Sequence, residues 1–389
     1  MNRKALNFTL CILVLVLVAE LAFLGAGYLQ EEDISLFHPE TGETRPPVGT
    51  LPVEEPTEPA TLPTEEPTEP EETLPPDEVF VLSFTGDCTL GSTPAKAGTS
   101  GSFVKVVGED YTHPFREMAP IFQEDDLTLA NLESVIGENG TGASKTFIFR
   151  GPKEYTQILT SGSVEAVTIA NNHAKDYGTK GYEGTKENLT EAGIAYVEDY
   201  STMIYTTQRG LVVGVCAADG SVNAIKTDKV LACIQELKDA GVHVIVCAFH
   251  WGNEGQYRPT DAQKELGKAA IDAGADIVWG NHPHVLQPIE AYNGGIIFYS
   301  LGNFSFGGNS NPRDLDGAVM QQQVILHGDG TVSLGELTIL PISISSAEKG
   351  NNYQPILCAE DSEQYKRILT KLDGTFDGDD LVVDYSHLR

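Results

Sequence analysis

The chain has 389 residues, 41% of them hydrophobic, and a formal net charge of −31. That length holds one large domain or two ordinary ones. So large an excess of acid argues against nucleic acid or an anionic membrane surface as a partner, and is compatible with divalent cations.

The chain opens on Met1-Asn2-Arg3-Lys4, followed by an apolar run at residues 8–29 that only Glu20 interrupts. About 20 apolar residues match the hydrocarbon thickness of a bilayer. Arg3 and Lys4 precede the run, while Glu31, Glu32 and Asp33 follow it. This asymmetry predicts a single-pass anchor with the remainder outside the cytoplasm. A signal peptide removed after export is the alternative, since residues 10–18 have the length of its apolar region. Cys11 lies too early for a lipoprotein cysteine. Residues 31–78 carry fifteen acids and one base, and Glu54-Glu55-Pro56-Thr57-Glu58-Pro59 is echoed by Glu65-Glu66-Pro67-Thr68-Glu69-Pro70. Nearly devoid of aliphatic side chains, this stretch predicts a disordered stalk, held extended by proline and like charge.

From Val79 the pattern alternates between strand and helix. Two apolar runs end in acids, at Gly86-Asp87 and at Asn131-Leu132-Glu133. Helix–glycine–strand passages turn at Gly162, Gly193, Gly241 and Gly274. In the last, Thr260 and Gln263 have the spacing of a capping box. Such alternation predicts α/β architecture. After Gly295 the strands at 296–300, 318–327 and 332–340 follow without helices, the last two joined by Gly328-Asp329-Gly330, a hairpin signal. The economical arrangement is two sheets face to face with helices outside. A terminal helix is predicted near 360–372. The reading therefore divides the chain into an anchor or signal at 1–30, a linker at 31–78, a folded domain at 79–342 and a packed extension at 343–389. Cys216 and Cys247 lie within apolar runs, where a free thiol behaves as a small hydrophobe.

Chemistry-bearing residues fall where strands end, the edge at which open α/β sheets bind ligands. His282-Pro283-His284 is the sharpest signal. Proline favours an extended residue before it, which would point both imidazoles to one side. Asn281 is placed to brace one of them. His250 closes an apolar run and is followed by Trp251, Gly252 and Glu254. Asn172-His173 follows another run, with Asp176 and Gly178 beyond; an amide oxygen can ligate a metal and the neighbouring imidazole can donate a proton. Asp87 either ligates a cation or caps a helix. Glu133 can bridge two ions, because each carboxylate oxygen can take one. Asn303, in Ser300-Leu301-Gly302-Asn303-Phe304, fits a structural turn equally well. The folded region contains no Gly-rich phosphate loop, Gly-x-Ser-x-Gly elbow or Cys-x-x-Cys pair. This argues against nucleotide-driven transfer, serine hydrolysis and thiol redox chemistry.

Taken as a set and in this order, these motifs resemble the CapA family of poly-γ-glutamate capsule synthesis proteins, relatives of the calcineurin-like metallophosphoesterases. The resemblance spans about residues 80–310. It implies a four-layer αββα sandwich holding one or two divalent ions (manganese, iron or zinc). Asp87, Glu133, Asn172, His250, His282 and His284 would be the ligands. His173 would be the general acid or transition-state stabiliser, grouped with Asp176 as catalytic. One departure stands out: the first motif of such enzymes is Asp-x-His, whereas this chain has Asp87-Cys88-Thr89. The resemblance implies a metal-dependent phosphoesterase-like hydrolase, if it is catalytic. It would work on a polyanionic or phosphorylated envelope substrate beside membrane-embedded synthase or export components. The alternative is a non-catalytic subunit that binds or guides the nascent polymer.

Overall fold

The computed structural model describes residues 74–381. The apolar segment and nearly all of the acidic stalk lie outside the described residues. Among the described residues no helix is long and apolar enough to cross a membrane.

The strands are, in chain order, β1 (Glu78–Thr89), β2 (Leu127–Leu132), β3 (Val135–Ile136), β4 (Arg150–Gly151), β5 (Ala166–Thr168), β6 (Ala195–Val197), β7 (Ser201–Thr206) and β8 (Val212–Asp219). There follow β9 (Val244–His250), β10 (Ile277–Asn281), β11 (Leu286–Tyr292), β12 (Gly295–Leu301), β13 (Asn303–Phe306), β14 (Asp316–Leu326), β15 (Val332–Ser343) and β16 (Ile356–Leu357). One sheet has the order β16-β15-β14-β1-β2-β5-β6, with β13 beside the end of β1; the other runs β11-β12-β10-β9-β8-β7. The helix-alternating part of the chain and the helix-free strands after Gly295 therefore do not form separate sheets. Each sheet is mixed, because β14 pairs antiparallel with β1 and β11 pairs antiparallel with β12. The cause is the crossing at Gly302, which carries the chain from the second sheet to the edge of β1.

Burial sorts the side chains into layers. Phe80, Leu82 and Phe84 meet Val215, Val246, Trp279 and Phe298 between the sheets. Outside the first sheet, Phe103, Ile158 and Leu189 pack from helices against Leu132 and Val167. Outside the second, Ile234, Leu237 and Ala270 cover Cys247 and Val278. Burying an aliphatic or aromatic side chain contributes roughly 1.5–3 kcal/mol, so these three cores set the layer order helix, sheet, sheet, helix. The helix Asp261–Ala273 starts at the predicted capping box, with Thr260 accepting from the Gln263 amide, and stops at Gly274 in left-handed geometry. Cys216 and Cys247 are both buried, their sulfurs 3.1 Å apart in register on neighbouring strands. The C-terminal helix Glu363–Leu372 sends Ile368 and Leu372 into the core between the sheets.

One irregularity in β1 positions the site. Pairing with β2 slips between Phe84 and Asp87. Such a bulge re-aims the residues that follow it. Phe84 points between the sheets, yet Cys88 four residues later points into the outer core. Thr85, left at the slip, offers its carbonyl to Trp279 Nε1 at 2.9 Å, a link from one sheet to the other. Gly86 lies so close to the crossing that a Cβ there would sit 2.2 Å from the Gly302 carbonyl oxygen. That carbonyl accepts the Asp87 amide at 2.9 Å. The sheets are thus joined where the acidic motif ends.

Candidate metal centre

Asp87 and Asn131 are register partners at the ends of β1 and β2, as are His250 and Asn281 at the ends of β9 and β10. The four strand ends meet, and the segment after β5 brings Asn171, Asn172 and His173 to them. Asn131 Nδ2 donates to Asp87 Oδ1 at 2.7 Å, and Asn131 Oδ1 accepts from Asn171 at 3.0 Å. Asp87 Oδ2 lies 3.0 Å from His284 Nδ1 and accepts the His282 amide at 3.2 Å. His250 Nε2 stands 2.9 Å from the Asn172 amide oxygen and 3.5 Å from Glu133 Oε1. Glu133 Oε1 is also 3.8 Å from His284 Nε2.

Three triads result among the described residues, each with ligand atoms within 4.8 Å of one another, and two of them, Glu133–His250–His282 and Asp87–Glu133–His284, share a carboxylate. Glu133 belongs to both, the position a bridging carboxylate needs. All six sequence-derived ligand positions are brought together, Asn172 joining through His250. Thr89, where an Asp-x-His motif would place its imidazole, instead points a hydroxyl at Glu133 Oε2 from 3.4 Å. Cys88 turns away into the outer core, and burial pushes its thiol up to about 12.

The His-Pro-His geometry is not the extended one expected. His282 has φ 97° and His284 φ 56°, so the imidazoles share the site through a tight turn rather than strand alternation. Left-handed backbone at such residues costs of order 1–3 kcal/mol each and persists only where the surroundings hold it. Three bonds hold it here: His282 N to Asp87, Asn303 Nδ2 to the His284 carbonyl at 3.2 Å, and Gly255 N to the Pro283 carbonyl at 2.8 Å. Asn281 does not brace an imidazole, since neither of its amide atoms has a hydrogen-bond partner among the described residues. Asn303 does, its Oδ1 lying 2.9 Å from His284 Nδ1.

The electrostatics follow from the packing. Burial opposes ionisation of Asp87, but the His284 bond and the charges of His284 and His250 hold its carboxyl below the usual range. Burial also opposes charge on His284 and His250. The Glu133 and Asp87 carboxylates override it, lifting His284 to about 10 and raising His250. His282, buried and facing two cationic neighbours, is pushed well below the ordinary imidazole value. Two buried carboxylates thus face imidazole nitrogens and an amide oxygen at one point. Glu133 Oε1 and His282 Nδ1 are buried without a hydrogen-bond partner among the described residues. Nitrogen and oxygen donors of this kind suit manganese, iron or zinc, and two buried atoms left without hydrogen bonds in such a cluster are what a cation site would need.

His173 borders the centre. Its Nδ1 lies 2.8 Å from Asp176 Oδ2, which also accepts the Phe149 amide at 2.6 Å. Lys145 Nζ, which no sequence signal marked, sits 2.5 Å from Asp176 Oδ1 and donates to the Asn172 carbonyl at 2.8 Å. A cavity of about 530 Å³ opens beside His173 and His284, walled by Phe147, Phe149 and Phe306. Lys96 and Arg313 also line it.

Residues 81–308 match the family model described as bacterial capsule synthesis protein PGA_cap. The chain belongs to that family. It is 33% identical over 317 residues to the PGA biosynthesis protein CapA of Bacillus subtilis (strain 168), covering 76% of this chain and 78% of that protein. To the capsule biosynthesis protein CapA of Bacillus anthracis it is 30% identical over 322 residues, covering 76% and 74%. Among solved structures, the NAD nucleotidase NadN of Haemophilus influenzae aligns at a TM-score of 0.41 and 12% identity, over 80% of this chain and 66% of that one.

Proposed function

We propose that this PGA_cap protein is a membrane-tethered, extracytoplasmic hydrolase of metallophosphoesterase type that acts in the synthesis or export of a poly-γ-glutamate capsule or a related envelope polymer. The observation that carries the reading is the meeting of Asp87, Glu133, Asn172, His250, His282 and His284 around two buried, unpartnered ligand atoms. Asp87, Glu133 and His284 would hold one ion, and Glu133, Asn172, His250 and His282 the other. Bound there, divalent ions supply Lewis acidity toward a substrate oxygen and make water more acidic.

The chain's own residues supply the rest. Asp176 fixes the His173 ring through Nδ1, which leaves Nε2 to face the cavity and deliver a proton to a leaving group. Lys145 anchors both Asp176 and the backbone at Asn172, so ligand and acid are positioned by one cation. Lys96 and Arg313 in the cavity wall support a polyanionic or phosphorylated substrate in an otherwise acidic domain. Membrane-embedded synthase or export components are the partners this role implies.

The test uses the full-length chain, its metal content and its hydrolysis of an aryl phosphate, with and without His173→Ala. Bound metal and metal-dependent turnover that falls by about 10²–10⁴-fold in the variant are expected. Equal activity in both would remove His173 from the chemistry. Bound metal with no hydrolysis of phosphoesters would favour a role in guiding the polymer.

A further inference from the structure

The Asp87 side of the centre has two carboxylates and one imidazole, with Thr89 standing where an Asp-x-His motif would add a second. We infer that Glu254 is the missing ligand to that ion. This assignment rests on the dinuclear reading above and goes beyond it, because Glu254 fills a gap that the chain's first motif leaves.

The geometry supports it from three directions. Glu254, His282 and His284 bring ligand atoms within 4.8 Å of one another, so the Glu254 carboxylate reaches an imidazole of each triad. It borders the same cavity as His284 and is half-buried, whereas Glu133 is fully buried. Its loop is also fixed in place. Gly252 has φ 84° and packs so tightly that a Cβ would meet Gln263 Oε1 at 2.6 Å. Gly255, φ 77°, donates its amide to the Pro283 carbonyl at 2.8 Å and accepts the Leu381 amide at 2.9 Å. Glu254 is therefore tied on one side to the turn between His282 and His284. On the other it is tied to the C-terminal segment. A ligand on so constrained a loop needs little reorganisation to bind.

The chemistry is consistent as well. Three carboxylates facing two divalent ions leave the centre cationic toward an anionic substrate, and hard oxygen donors suit manganese. Three residues separate His250, a ligand on one side, from Glu254 on the other, so one strand end would serve both ions.

The experiment titrates full-length protein with Mn²⁺ alone, comparing wild type with Glu254→Gln by calorimetry and electron paramagnetic resonance. Wild type should take up two ions with an exchange-coupled spectrum. The variant should keep one ion, bind the other at least about tenfold more weakly, and show the six-line spectrum of an isolated ion. Its melting in EDTA should equal that of wild type. Two ions bound with unchanged affinity and spectrum would overturn the assignment, as would equal weakening at both sites or a lowered melting point in EDTA. Wild type that takes up no Mn²⁺ would defeat the dinuclear reading itself, a failure separate from the others.

Discussion

Lys371→Met tests how the C-terminal helix is held. Lys371 is 2% exposed and donates to Asp314 at 2.7 Å and to Asp316 at 2.6 Å. Asp316 is equally buried and takes a bidentate grip from Arg367, with both bonds at 2.7 Å. Methionine keeps an apolar stem of similar length but loses the ammonium that faces Tyr257 and Phe376, leaving Asp316 to Arg367 alone and Asp314 to the Tyr257 hydroxyl. Breaking a buried pair from one side costs about 3–5 kcal/mol. With an unfolding entropy of about 2.1 cal/mol/K per residue over a domain of roughly 300 residues, melting should fall by roughly 5–8 °C. The sign with pH is fixed by Asp316. Burial opposes its ionisation, yet Arg367 and Lys371 hold its carboxyl below the usual range. Its contribution is present above the ordinary carboxylate value, near 4, and disappears as pH falls through the lower folded value. Differential scanning calorimetry from pH 7 to pH 3 should show the two melting points converging in acid. A shift under 1 °C at pH 7, or a gap that widens in acid, would refute the argument.

Asp276→Asn should do the reverse. Burial raises this carboxyl to about 6 against the opposing Ile245 amide bond, so the folded state loses about 3 kcal/mol, in order of magnitude, as pH climbs from 4 past 6. The amide keeps an oxygen for Ile245 N, and melting should rise at pH 8 but not at pH 4. Gly86→Ala forces a Cβ against the Gly302 carbonyl and should cost about 1–3 kcal/mol or more, seen as a lower urea midpoint; an unchanged midpoint would show that the two sheets separate easily. Asn303→Ala removes the acceptor beside His284 Nδ1 and should weaken Mn²⁺ binding about 10–100-fold by calorimetry. Unaltered affinity would mean that the turn alone orients His284.

Much of this was legible from local pattern. Thr260 and Gln263 marked a helix start, Gly328-Asp329-Gly330 a hairpin, and acids or imidazoles at the ends of apolar runs marked the strand ends that converge. What stayed hidden required knowledge of distant neighbours. The left-handed His282 contradicts the preference imposed by Pro283, because bonds from Asp87, Asn303 and Gly255 override it. Lys145 carries no local signal, since its importance comes from Asp176, 31 positions away. The bulge in β1 looks like ordinary alternation until β2 is set beside it. Glu254 stood in the sequence four positions after His250, but only the turn carrying His284 shows where it reaches.

The PGA_cap match stops at residue 308, and β14 begins at Asp316. Yet β14 pairs with β1 from Glu78 to Phe84, up to the bulge that re-aims Asp87. A fragment trimmed to the shared signature would leave that flank of β1 bare, its amides and carbonyls open to any other chain. In this chain the hairpin β14–β15 therefore lies outside the shared signature, yet it closes the flank of the strand that delivers Asp87.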